Sequence, residues 1–161
     1  MNESSELSQP VSRALPEDFI DIAALDRQAW NQAKHSELIP DGEHVWRIWC
    51  EHALVYIGRS EDDEILGALV AFPCLDGAFC LHKVMVAEKC RGKGLGRKLF
   101  EALFCELDLR ERNCFLTVSP SNANALKLYR NWGFDQEEFV SGYYREDEDR
   151  LVLTRRGRRE K

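Results

Sequence analysis

Apolar residues along this chain fall into two rhythms, and the alternation between them predicts the fold. Behind Pro16, the residues Phe19, Ile22, Ala23, Leu25, Ala29 and Trp30 recur at the three- and four-residue steps of a helix buried along one face. Pro16, with Glu17 and Asp18 after it, suits a helix start. A polar stretch over residues 31–40 reads as a loop, after which Asp41 or Gly42 opens a second helix carrying Val45, Trp46, Ile48 and Trp49. The two tryptophans are expected to pack, with substrate contact as the alternative. A third helix runs from Leu95 to Glu111 on Leu95, Leu99, Ala102, Leu103 and Leu107, and a fourth covers residues 122–131. The other apolar runs are short and bounded by turns, which predicts strands at residues 13–15, 54–58, 65–72, 79–87, 115–118, 134–139 and 143–154. Short connections, among them the acidic turn 61–64, favour antiparallel hairpins in the middle of the chain. The order of these elements predicts an α/β fold: a mixed, mainly antiparallel twisted sheet of about seven strands flanked by four helices. Residues 1–11 lack periodicity and are expected to be disordered, residues 12–156 to form one domain, and residues 157–161 a basic tail.

Bulk numbers narrow the class without naming a function. A chain of 161 residues suits one domain, and 44% apolar with 31% charged residues describes an ordinary globule. No apolar run approaches the length of a membrane span. The first residues are acidic and polar where a secretory signal would be basic and then apolar, so a cytoplasmic location is expected. The six cysteines include no Cys-x-x-Cys pair and lie mostly in apolar stretches, which reads as buried thiols, neither disulfides nor zinc ligands. Histidine spacing likewise offers no metal site. A net charge of −6 argues against general nucleic-acid binding. Positive charge is instead local, at Lys89, Arg91, Lys93, Arg97 and Lys98. Cations at a helix start oppose the macrodipole, and a bound anion would resolve that conflict.

That cluster surrounds Arg91-Gly92-Lys93-Gly94-Leu95-Gly96, which follows an apolar run and precedes an amphipathic one. Read as strand, glycine turn and helix, the segment is an anion cradle. Glycines without Cβ atoms allow positive φ, and backbone N–H groups close on a phosphate at the positive end of the helix. A diphosphate is the expected ligand. The P-loop spacing fails, because Arg97 follows Gly96 and no hydroxyl is placed to hold magnesium. The dinucleotide Gly-x-Gly-x-x-Gly spacing fails too. Arg91, Gly94 and Gly96 do match the pattern Arg/Gln-x-x-Gly-x-Gly/Ala. Further along, Asn122, Ala125, Leu128 and Tyr129, followed by Gly133-Phe134, match Asn-x-x-Ala-x-x-Leu-Tyr…Gly-Phe. In content, order and separation the two motifs resemble those of the GCN5-related N-acetyltransferase (GNAT) family.

The resemblance implies acetyl-CoA as the acetyl donor and an amine as its acceptor, with a GNAT-like sheet and dimers as a common assembly; residue spacing, charge and run length argue for no metal and no nucleic-acid or membrane partner. Carried to this chain, Arg91, Gly92, Lys93, Gly94, Leu95, Gly96 and Arg97 would hold the pyrophosphate. The backbones of Val84, Met85 and Val86 would pair with pantetheine as an added strand does, and Asn122, Ala125 and Tyr129 would flank its arm. Tyr129 is the expected acid for the departing thiolate. The base is harder to place. Members that acetylate the N-terminal alanine of a ribosomal protein carry a glutamate where Thr117 stands here, and histone-type members carry one where Cys80 aligns. His82 is the nearby residue that titrates near neutrality, and a water relayed through Thr117 or Ser119 is the alternative. A covalent route would fall to Cys90, beside Lys89 and Arg91. A catalytically silent acyl-CoA sensor is the reading from another class. For the acceptor, residues 117–122 resemble those of enzymes acetylating diaminobutyrate, whereas Tyr143-Tyr144 resembles a loop that covers peptides in N-terminal acetyltransferases. The acidic run at residues 146–149 is most simply a solvated turn.

Overall fold

The computed structural model describes residues 10–32 and 39–158. Of the predicted segments, residues 1–9 of the disordered start, 33–38 of the polar loop and 159–161 of the basic tail lie outside the described residues. The elements run β1 (Ser12–Arg13), α1 (Phe19–Gln32), α2 (Glu43–His52), β2 (Leu54–Arg59), β3 (Ile65–Pro73), β4 (Phe79–Val86), α3 (Leu95–Leu109), β5 (Cys114–Val118), α4 (Ala123–Asn131), β6 (Gln136–Val140) and β7 (Arg150–Arg155). Seven strands form one sheet in the order β1-β2-β3-β4-β5-β7-β6, mostly antiparallel, as the apolar pattern predicts. Contacts divide the chain into two units. The first takes in the described residues up to Phe72 together with His82–Phe104, and the second Pro73–Leu81 together with the described residues from Cys105 on.

In the first unit β2 pairs antiparallel with β1 and β3, from Leu54↔Ala71 to Gly58↔Gly67, with a register shift at Gly58/Arg59. β2 and β3 are buried over nearly their whole length, which explains why their sequences run apolar instead of alternating. One core joins Ile22, Ala23 and Leu25 of α1 and Trp46 and Cys50 of α2 to Val55, Ile57, Ala68, Val70 and Met85. The opposite phase of the strands holds Gly58 and Gly67, and there Leu95 rests on the sheet. A Cβ on Gly67 would lie 2.8 Å from Leu95 Cδ2 and 3.2 Å from the Met85 carbonyl oxygen, and one on Gly58 would meet Leu95 as well. The missing side chains thus make the seat that fixes the first residue of α3 against the sheet.

In the second unit β4 begins parallel to β5 through Phe79↔Cys114 and Cys80↔Phe115, and β7 lies antiparallel to both β5 and β6. Arg155 is buried, and its guanidinium grips Asp108 through two bonds of 2.9 Å. Burial of the Asp108 carboxyl would raise its pKa, but Arg155 and the Arg158 N–H outweigh that and hold it below the usual range.

Boundaries differ from the predicted ones where polar turns intervene. The strand expected at 143–154 begins only at Arg150. Before it, Asp149 Oδ1 accepts from Gly142 N at 2.9 Å and from Ser141 Oγ at 3.1 Å, and Tyr143 N donates to Glu148 O at 2.9 Å. Those bonds, with Gly142 at φ +62°, fold residues 141–149 into a turn. β6 starts at Gln136, past Gly133 at φ +91° and the buried Phe134. α1 continues to Gln32, so the predicted loop starts late, and Pro16–Asp18 forms a 3₁₀ turn ahead of it. Cys50, Cys90 and Cys114 are buried as expected, whereas Cys74 and Cys80 are partly buried and Cys105 is exposed.

Gly67→Ala is expected to cost about 1–3 kcal/mol by overpacking, seen as a lower urea midpoint with an unchanged slope. Partial recovery in Gly67→Ala/Leu95→Val, which shortens the side chain in the way, would locate the cost at this seat.

Candidate active site

β4 alternates strictly between buried and half-buried residues, with Leu81, Lys83 and Met85 inward and His82, Val84 and Val86 less so. Its ladder to β5 uses Phe79 and Cys80, so among the described residues Leu81 to Val86 meet no strand on that edge, while β3 is the neighbour on the other. The N–H and C=O groups along that free edge are what an extended ligand arm would take up. After β4, a 3₁₀ turn (Glu88–Cys90) leads into the exposed glycine loop. Gly92 (φ +75°) and Gly94 (φ +86°) take the left-handed conformation, and a Cβ on either would meet nothing within 4 Å. Gly96 does not take that conformation. It lies inside α3, where a Cβ would come to 3.8 Å from Val86 Cγ2.

The helical ladder begins with Lys98 N donating to Gly94 O at 3.1 Å, so the N–H groups of Leu95, Gly96 and Arg97 precede the first helical bond. Three open N–H groups at a positive helix end suit a phosphate. Of the surrounding cations, Lys89 is paired with Glu64 at 2.7 Å, Arg97 with Glu101 at 2.8 Å, and Arg91 Nε donates to Val86 O. Lys93 and Lys98 have no partner among the described residues. The side chains of Met85 and Leu95 are core, so these two residues offer a ligand only their backbone. Cys90 is buried, which removes the accessible thiolate that a covalent route needs.

In the second unit Asn122 caps α4, its side-chain oxygen accepting from Ala125 N at 3.2 Å. Asn122, Ala125 and Tyr129 follow one another at three- and four-residue steps on one face of the helix. Trp132 N and Phe134 N both donate to the Tyr129 carbonyl at 3.1 Å, and Gly133 supplies the left-handed turn that ends the helix. The Tyr129 ring meets Phe134 edge-on at 5.7 Å. Burial pushes the Tyr129 phenol above its ordinary pKa, so it carries its proton at neutral pH. Thr117 Oγ1 lies 2.7 Å from the Tyr144 hydroxyl, and the Arg150 guanidinium covers the Tyr144 ring.

The first unit also contains a charged cluster that sequence reading missed. Lys83 Nζ, with its side chain 4% exposed, reaches Asp26 Oδ1 (3.0 Å) and Oδ2 (2.9 Å), Asp41 Oδ2 (2.7 Å) and the Ile39 carbonyl (3.1 Å). Asp26 also accepts from Trp46 Nε1 at 3.1 Å and Asp41 N at 2.8 Å. His82 Nε2 lies 3.0 Å from Asp41 Oδ2. The His82 ring also packs on Trp49 (5.1 Å) and Phe72 (5.9 Å). Trp46 is therefore fully packed, and Trp49 flanks the histidine. Burial alone would raise the pKa of Asp41, but hydrogen bonds and charge from Lys83 and His82 outweigh it and hold it low. A signal existed in the sequence: Lys83 falls on the inward phase of an apolar strand and Asp26 among the buried positions of α1, where an unpaired charge would be prohibitive.

A sequence profile described as the acetyltransferase (GNAT) family matches residues 18–134. The chain belongs to this family. As a member it is an N-acetyltransferase. The [ribosomal protein bS18]-alanine N-acetyltransferase of Salmonella typhimurium is 28% identical to it over 117 residues, 72% of this chain and 78% of that relative. Two solved structures share the fold. The ribosomal-protein-S18-alanine N-acetyltransferase of Escherichia coli aligns with a TM-score of 0.74 at 22% identity, covering 94% of this chain and 95% of the other. A diaminobutyrate acetyltransferase from Paenibacillus lautus, in complex with L-2,4-diaminobutyric acid and coenzyme A, aligns at 0.68 and 19% identity, covering 89% and 92%. Among the described residues of this acetyltransferase, no helix is long and apolar enough to cross a membrane.

Removing Lys83 would leave two carboxylates facing each other with little water. Lys83→Met is expected to cost about 3–5 kcal/mol at pH 7, measured by urea denaturation. Because the folded pKa of Asp41 is depressed, its contribution is complete above about pH 4 and is lost as the pH falls through the lowered value. The penalty of Lys83→Met should therefore shrink in acid.

Proposed function

We propose that this acetyltransferase moves the acetyl group of acetyl-CoA directly to a primary amine, either the α-amine of a peptide or protein or a small amine. The observation that carries this is in the first unit: a free strand edge at Val84, Met85 and Val86 runs into a left-handed glycine loop and an open helix start. Those features suit a pantetheine arm followed by a diphosphate. Arg91, Gly92, Lys93, Gly94, Leu95, Gly96 and Arg97 are the proposed diphosphate site, with Lys93 and Lys98 supplying uncommitted positive charge.

In the proposed reaction the amine nitrogen attacks the thioester carbonyl carbon, and the new C–N bond forms as the C–S bond breaks. The nitrogen's proton passes to His82, and the thiolate takes the phenolic proton of Tyr129. Tyr129 is protonated at neutral pH, as an acid for the thiolate must be. Asn122 and Ala125 are proposed beside it along the donor's arm. An α-amine of pKa about 7.7–8.0 is substantially neutral near pH 7.5, whereas a lysine near 10.4 is only ~0.1% neutral. With Thr117 and Cys80 at the familiar carboxylate positions, the chain favours the easier nucleophile. Tyr143 and Tyr144, stacked edge-on at 4.7 Å and exposed, are available to a peptide acceptor.

The test is thiol release from acetyl-CoA with two acceptor pools, short peptides with free α-amines and small diamines or amino acids. Release with peptides is expected; acetyl-CoA binding without release from either pool would overturn direct transfer. Tyr129→Phe should lower kcat by about tenfold or more while leaving acetyl-CoA affinity near normal, and unchanged turnover would remove Tyr129 from the reaction.

A further inference from the structure

A carboxylate only accepts hydrogen bonds. Asp41 is kept ionised by Lys83, so the 3.0 Å contact between His82 Nε2 and Asp41 Oδ2 requires the proton to sit on Nε2. In a neutral imidazole the lone pair is then on Nδ1. We infer that Asp41 is a positioning residue which fixes His82 in the Nε2–H tautomer, so that Nδ1 is the atom that takes the proton of the acceptor amine, and that Lys83 and Asp26 hold Asp41 in place for this.

The geometry supports each part. Asp41 is tied by its carboxylate to Lys83 and by its backbone N–H to Asp26, and Asp26 is tied to Trp46. The carboxylate therefore cannot swing with the histidine. The imidazole is bounded by Trp49 and Phe72, yet its side chain keeps 32% exposure, which is the access the proposal needs. Charge also balances. One lysine against two aspartates leaves a single negative charge unmatched, and the imidazolium formed when Nδ1 takes the proton matches it. As the acceptor's N–H bond breaks, its electron pair stays on the nitrogen that attacks the acetyl carbon, and the proton ends on Nδ1. Asp41 stays a carboxylate throughout.

The inference rests on the acetyl-transfer reading only for the source of the proton; the tautomer is independent of it. The experiment is ¹⁵N NMR of the histidine rings in the full chain without acceptor, with His82→Gln to identify the signal, alongside steady-state kinetics. The expected result is a predominantly Nε2–H ring in the wild type. Asp41→Ala should lose that preference and lower kcat by about tenfold to a hundredfold without changing KM for acetyl-CoA. Lys83 keeps both Asp26 oxygens in this variant, so the fold should survive. Asp41→Asn retains the accepting oxygen and should restore the tautomer and most of kcat. A purely structural role for Asp41 would instead move stability and leave the tautomer and the rescue pattern untouched, which overturns the inference. An Nδ1–H ring in an active enzyme overturns it as well. The tautomer in place with no acetyl transfer overturns the acetyl-transfer reading and, with it, Nδ1 as the base.

Discussion

A lysine on the core side of a strand cannot be left alone, and the first unit is organised around that constraint. The apolar alternation of β4 drives position 83 inward, and the ammonium it carries must find compensation there. It finds it in α1 through Asp26, in the segment before α2 through Ile39 and Asp41, and indirectly in α2 through Trp46. One buried charge thus ties a strand to two helices and a loop at fixed distances. Apolar packing alone would hold those elements together without fixing their register to this degree. The same ties bring a carboxylate to the adjacent histidine, so the feature that organises the core also shapes the ring proposed to work on the acceptor.

Most of the fold was legible because its signals are local. Helical spacing gave α1 and α3, the capping Asn122 and terminating Gly133 mark α4, and apolar runs gave β2 and β3 within a residue or two. What was not legible depended on polar groups finding partners. The segment before β7 reads as extended from its tyrosines, but Asp149 captures Gly142 and Ser141 and bends it. The candidate site divided along the same line. Gly92, Gly94 and the start of α3 were readable as a loop, since glycine spacing carries its own conformational meaning. Gly96 falls inside the helix that the apolar spacing starts at Leu95. The Lys83 cluster was missed because its members are far apart in sequence, although the misplaced charges on buried faces were visible.

The elements proposed to face the ligand offer mostly backbone. Met85 and Leu95 turn their side chains into the core and leave only N–H and C=O groups outside, while Tyr129 and His82 bring side-chain chemistry. Strand edges and helix starts survive replacement of the residues that form them, in keeping with a fold shared with structures at 19–22% identity. The acceptor contacts proposed at Tyr143 and Tyr144 are side chains and have no such protection.

The glycines divide into two kinds. Gly58 and Gly67 are held by bulk, since any larger residue displaces Leu95 from its seat and the fold itself resists the change. Gly92 and Gly94 are held by backbone angle alone, with empty space where a side chain would go. Replacing Gly92 or Gly94 would strain the backbone without disturbing any packing, asparagine being the readiest substitute at such angles, whereas replacing Gly58 or Gly67 would displace Leu95. The proposed diphosphate site therefore sits where packing imposes nothing, and its shape rests on the backbone freedom of glycine.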